Sequence, residues 1–149
     1  VVRKAAEVLR EFGVPYEAHV WSAHRTPDEV RVFCSSARER GFGVIIAAAG
    51  MAAHLAGAVA ALTTIPVVGI PIKSGNLGGV DALLSTVQMP PGIPVATVAV
   101  DGGVNAALLS IEILSLTDEG LAEKLAERRR AERERVLARN KAVEEELNK

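Results

Sequence analysis

Phe42-Gly-Val-Ile-Ile-Ala-Ala-Ala49 carries no polar side chain and stops at Gly50. A strand with one wet face alternates polar and apolar residues. A short continuous apolar run instead marks a parallel strand covered on both faces. Gly50 turns the chain into a helical pattern from about Met51 to Leu62. The unit recurs downstream. Pro66–Ile70 reads as a second buried strand, Val80–Val87 as a short helix, Val95–Val100 as a strand and Val104–Leu116 as a helix. The loops Pro71–Gly79 and Met89–Pro94 join them. Upstream, Val2–Phe12 places Ala5, Val8, Leu9 and Phe12 on one helical stripe, with Gly13 as its stop signal. Tyr16–Ser22 reads as a short strand. Thr26 to about Arg40 reads as a helix with Val30, Phe33, Cys34 and Ala37 on its apolar side and Gly41 at its end.

Strands alternating with helices over short loops predict an α/β fold, a three-layer open parallel sheet with helices on both faces (flavodoxin/Rossmann-like). Such a sheet normally opens on a strand, whereas this chain opens on a helix, so the pattern predicts a strand ahead of Val1. From Asp118 the composition changes. Residues 118–149 hold no Pro and about half of the chain's charges, with signs intermixed and a thin apolar stripe of Leu121, Leu125, Val136, Val143 and Leu147. That pattern predicts a long solvated helix, or an arm laid on a neighbouring subunit. The division expected is therefore an α/β domain over residues 1–117 and a helical extension over 118–149.

Composition narrows the function. The chain has 149 residues, one domain by size, and a formal net charge of −1, which gives no electrostatic case for nucleic acid or a membrane surface. The Arg128–Arg130 run is offset by flanking Glu residues. A single cysteine, Cys34, excludes an internal disulfide, fits a reducing, cytoplasmic compartment and reads as a small buried hydrophobe. No apolar run reaches the ~18 residues of a membrane span, and no signal peptide is visible at the start.

Four polar stretches stand out. Trp21-Ser-Ala-His-Arg-Thr-Pro-Asp-Glu29 crosses from strand to helix with a hydroxyl (Ser22), an imidazole (His24) and a fixed cation (Arg25). Thr26 and Glu29 have capping-box spacing and Pro27 stands at the first helical position. Free N–H groups at such a helix start favour an anion, with Arg25 beside it. Ala49-Gly-Met-Ala-Ala-His-Leu55 repeats the theme: Gly50 admits close approach, and His54 falls in the first helical turn. Lys73-Ser-Gly-Asn-Leu-Gly-Gly79 and Asp101-Gly-Gly-Val-Asn105 end the next two strands. Each stretch alone reads equally as a capped corner or a glycine turn. All four, however, fall at the carboxyl ends of strands, the edge where open α/β sheets bind ligands. The joint reading is a site for a small phosphorylated ligand. Three scattered histidines lack metal-site spacing, and neither a Gly-x-Ser-x-Gly elbow nor a Gly-x-Gly-x-x-Gly turn is present.

SAHRTP at 22–27, AGMAAHLAG at 49–57, PVVGIP at 66–71, DALLSTVQMPPGIPVATVAV at 81–100 and NAALL at 105–109 together resemble the N5-carboxyaminoimidazole ribonucleotide mutases of purine (IMP) biosynthesis. The likeness spans about Val2 to Leu116. Sister carboxylases that use free carbon dioxide carry Lys after SAH and Gly-Arg-Ser-Asn in place of GMAAH. Here Arg25 and GMAAH side with the mutases. The resemblance implies a metal-free and cofactor-free isomerase. It would convert N5-carboxyaminoimidazole ribonucleotide to 4-carboxy-5-aminoimidazole ribonucleotide by moving a carboxyl group within one ribonucleotide.

By motif position the resemblance makes His24 the general acid–base, able to give and take a proton near neutral pH. It puts Ser22 and Arg25 on the phosphate, and Gly50, Ala52, Ala53, His54 and Leu55 in the loop that lines the pocket and confines carbon dioxide. It also implies a homo-octamer with C-terminal helices wrapping neighbours. Two departures stand out. Family members begin with a strand ending in a Gly-Ser-x-Ser-Asp loop, and Val1 falls just after where that loop would end. Met51 and Ala56 stand where Gly and Pro are usual. The alternative function is a catalytically silent ribonucleotide-binding or assembly relative. A related pyridinium-nucleotide carboxylase domain is a weaker alternative, because the 22–27 and 50–54 residues favour the mutases.

Overall fold

The computed structural model describes residues 1–148. In chain order it holds α1 (Val2–Phe12), α2 (Pro27–Ala37), β1 (Ile45–Gly50), α3 (Leu55–Leu62), β2 (Val67–Ile72), α4 (Val80–Val87), β3 (Ala96–Thr97), α5 (Gly103–Ser115) and α6 (Glu119–Leu147), with one 3-10 turn at Gly75–Leu77. The strands form a parallel sheet in the order β1-β2-β3. Ile45 pairs with Val67 and Gly50 with Ile72, while Val68 pairs with Ala96.

Successive residues of β1 and β2 serve opposite faces, so continuous apolar sequence is what two covered faces require. On one face Ile45, Ala47 and Val67 pack with Val30, Cys34 and Ala37 of α2 and with Ala56 and Val59 of α3. On the other, Val68 and Ile70 pack with Ala106 of α5, flanked by Ile46 and Ala48. There α1 lays Ala5, Val8, Leu9 and Phe12 against Ala107 and Ile111 of α5 and Leu121 of α6. Val68, Ile70 and Ile111 are at most 1% exposed, each such burial contributing about 2 kcal/mol. Cys34 belongs to this interior, and burial pushes its thiol above the usual range, as suits a small hydrophobe.

α6 is a long helix as expected. Asp118 caps it, accepting the Leu121 N–H at 3.1 Å. Lys124 Nζ donates to the Phe12 carbonyl at 2.9 Å, a cation at the negative end of α1, and Arg128 pairs with Glu11 at 2.9 Å. The near part of α6 is thereby fastened to α1, while Val136, Val143 and Leu147 farther along are exposed.

The structure departs from the sequence reading in four places. Tyr16–Ser22 is not a strand: no described strand ladders with it, and its contacts run through side chains. Glu17 pairs with Arg40 at 2.6 Å and with His19, whose ring stacks on Trp21 at 4.0 Å. α3 begins at Leu55 rather than Met51, because Met51 has φ +57° and cannot join a right-handed helix. β3 is only two residues long, although the Val98 N–H still donates to Gly69. The chain then turns, Gly102 N–H donating to Ala99, beside a left-handed Asp101. α2 stops at Ala37, with a tight turn to Gly41.

Candidate active site

The corner before α2 is closed on itself. Thr26 is the N-cap and Pro27 opens the helix, as the spacing required, but Thr26 makes no capping bond. Its hydroxyl accepts the Ser22 N–H at 2.8 Å and donates to the Ser22 carbonyl at 3.2 Å, so the expected capping box is not formed. Ser22 Oγ in turn accepts from the His24 and Arg25 N–H groups, both at 3.3 Å. A hydroxyl gathering two backbone N–H groups keeps its own hydrogen for an outside acceptor. His24 and Arg25 are exposed, and Arg25 enters no ion pair among the described residues.

The second loop leaves β1 at Gly50. Ala53 is buried and pins the loop, Leu55 packs on the α2–α3 side of the core, and Ala52 is exposed. His54 is the N-cap of α3, one position ahead of the first turn, and its side chain does not cap. Its Nδ1 lies 3.1 Å from His24 Nε2, with the rings tilted by 50°. Two residues thirty apart in sequence thus meet, one from the corner ahead of α2 and one from the end of the loop that leaves β1. The bond needs one N–H and one lone pair, so it exists only while at least one ring is neutral.

The third polar stretch bonds to the second loop and the fourth to the third, rather than to the histidines. The Met51 N–H donates to Ser74 Oγ at 2.9 Å, and the Lys73 N–H donates to Asp101 Oδ1 at 3.0 Å. A Cβ at Gly50 would run into Ser74 Oγ, which is why this position takes glycine. Sequence reasoning did not single out Ser74. Its signal was a hydroxyl residue at the end of the strand neighbouring β1, beside a glycine.

Among the described residues no group of three His, Cys, Asp or Glu side chains is placed to hold a metal ion. Two cavities open elsewhere. One of about 390 Å³ lies between α5 and α6, against Leu108, Glu112 and Arg129. The other, about 380 Å³, lies against Trp21, Phe33 and Arg40. Neither includes His24 or His54, whose pair stands on an open rim.

Comparison with known proteins bears on this arrangement. A family model described as AIR carboxylase matches residues 1–135. The N5-carboxyaminoimidazole ribonucleotide mutase of Pyrococcus abyssi is 60% identical over 125 residues, covering 84% of this chain and 72% of that protein. The mutase of Bacillus subtilis is 54% identical over 138 residues, 91% of this chain and 85% of that protein. The crystal structure of Treponema denticola PurE superposes with a TM-score of 0.82 at 26% identity, covering 99% of this chain and 89% of that one. The match spans both histidine corners and reaches into α6, and on it the chain belongs to the AIR carboxylase family.

Proposed function

We propose that this chain is an isomerase of purine biosynthesis that converts N5-carboxyaminoimidazole ribonucleotide to 4-carboxy-5-aminoimidazole ribonucleotide. The observation that carries the reading is the 3.1 Å contact between His24 and His54, with the Ser22 hydroxyl accepting the His24 N–H and with adjacent Arg25 in no ion pair among the described residues. The relatives from Pyrococcus abyssi and Bacillus subtilis bear the name N5-carboxyaminoimidazole ribonucleotide mutase.

Ser22 and Arg25 hold the phosphate. The loop Gly50, Ala52, Ala53, His54 and Leu55 lines the reacting ring. His24 carries the proton. The bond between the exocyclic nitrogen and the carboxyl carbon breaks, carbon dioxide leaves, and the electron pair left on nitrogen takes the proton from His24. The amine then pushes electron density through the ring, whose carbon attacks the carbon dioxide and forms the new carbon–carbon bond. His24, now neutral, removes the proton from that carbon and restores the aromatic ring. One imidazole serves both steps because the ring that has given its proton is left with the lone pair that takes the next one. His54 orients it. Keeping the carbon dioxide in place makes the second step effectively unimolecular.

The 1–117 region forms the catalytic domain of a cytoplasmic homo-oligomer, an octamer by likeness to the family, and residues 118–149 lie on a neighbouring subunit. The exposed Val136, Val143 and Leu147 of α6 support that arrangement. No described helix is long and apolar enough to cross a membrane.

Substrate labelled with ¹³C in the carboxyl group, supplied in unlabelled bicarbonate, tests the reaction. Intramolecular transfer keeps the label in the product. Washing out of the label contradicts it.

A further inference from the structure

The loops at the carboxyl ends of the strands are tied in series. Asp101, beyond β3, donates its N–H to the Pro71 carbonyl at 2.9 Å and accepts the Lys73 N–H at 3.0 Å. Ser74 follows and accepts the Met51 N–H at 2.9 Å. Met51 and Asp101 are the two non-glycine residues with positive φ among the described residues, at +57° and +58°. An L-residue stays in that region only where its surroundings over-determine it. For Asp101 the surroundings are its own two bonds to the end of β2. For Met51, whose side chain is exposed, they are the Ser74 hydroxyl.

The contact is close as well as bonded: a Cβ at Gly50 would meet Ser74 Oγ and lie 3.1 Å from the Ile72 carbonyl. Farther along, the His54 side chain gives the start of α3 no cap of its own. Besides buried Ala53, the Ala58 N–H bond to the His54 carbonyl at 3.0 Å and the His24 contact, the hold on the 51–54 segment comes from the neighbouring loop.

We propose that Ser74 is a positioning residue: its hydroxyl holds Met51 in the left-handed turn and so sets where His54 meets His24, with Asp101 anchoring Ser74 through Lys73. Its activity arm rests on the carboxyl-transfer reading, while its structural arm does not. Glycine adopts positive φ without a hold, so a glycine at 51 removes the need for Ser74. That dependence is the signature a merely structural serine lacks.

The test is a double-mutant cycle of Ser74→Ala and Met51→Gly in the full chain. Two readouts are used: kcat/KM for carboxyl transfer, and long-range ¹H–¹⁵N spectra of the imidazole nitrogens. Ser74→Ala is expected to lower kcat/KM about tenfold and to shift the ring signals of both His24 and His54, as one lost orienting bond does. In the Met51→Gly background the same change is expected to cost no more than about twofold and to leave the ring signals in place. Asp101→Asn, which keeps the acceptor and tolerates positive φ, should match the parent, while Asp101→Ala should follow Ser74→Ala. Equal losses in both backgrounds, or unmoved histidine signals in Ser74→Ala, overturn the proposal. If the parent chain itself fails to transfer the carboxyl group, the proposed reaction falls, and the ring spectra still decide the role of Ser74.

Discussion

His24 Nε2 lies 3.1 Å from His54 Nδ1, although the two residues leave different corners of the fold. One ring supplies the hydrogen and the other the lone pair, so the partner fixes how the His24 ring is aimed. His54→Ala is therefore expected to reduce kcat/KM about a hundredfold, the scale of misplacing a reacting group by an ångström. Steady-state kinetics check this. An unchanged kcat/KM would mean that the pair is incidental.

Arg25 is an exposed cation without an ion-pair partner among the described residues, next to the Ser22 hydroxyl. A charge-assisted bond to phosphate contributes about 1.5–3 kcal/mol. The bond is made equally in ground and transition states. Arg25→Gln should therefore raise KM about ten- to a hundredfold with kcat nearly intact. A fall in kcat at unchanged KM would place Arg25 at the reacting ring instead.

Glu17 has its carboxyl held below the usual range by Arg40, and secondarily by His19. A depressed pKa stabilises the fold above the ordinary carboxylate value, and that contribution is lost as the pH falls through the lowered folded value. An NMR titration of the Glu17 carboxyl should show its midpoint rising toward the ordinary value in Arg40→Ala. A midpoint that stays put would show that the pairing is absent in solution.

Gly69 in β2 lies under α3 and α4. A Cβ there would stand 2.5 Å from Thr86 Cγ2, 2.9 Å from Val95 Cγ1 and 3.3 Å from Ala56 Cβ. Gly69→Ala overpacks this layer and should cost about 1–3 kcal/mol in urea unfolding. A neutral or stabilising result would mean that the helices are not seated this closely.

Much of the fold was legible because its signals are local. The stripe of α1, the apolar runs of β1 and β2 and the bounds of α4 follow from periodicity alone. What failed depended on which partner a side chain or backbone group finds, and residue type and spacing do not decide that. Tyr16–Ser22 has strand-like composition, but a strand exists only with a neighbour to bond, and here Glu17, His19 and Trp21 turn to one another and to Arg40. The spacing of Thr26 and Glu29 suggested a cap, and the Thr26 hydroxyl went back to Ser22 instead. Met51 looked helical until its positive φ moved the start of α3 to Leu55. At the site, His24 and His54 stood out as residue types at strand ends. Their contact, and the Ser74 bond to Met51, exist only once the loops are brought to one edge.

The central claim is that His24 is the proton carrier of a carboxyl transfer. It is tested most directly by following the ultraviolet absorbance change when N5-carboxyaminoimidazole ribonucleotide is supplied to the full chain and to His24→Asn. Turnover by the parent is expected, with a loss of roughly 10²–10⁴-fold in the variant, the range of a general acid–base. No turnover by the parent, or turnover that His24→Asn leaves unchanged, would contradict it.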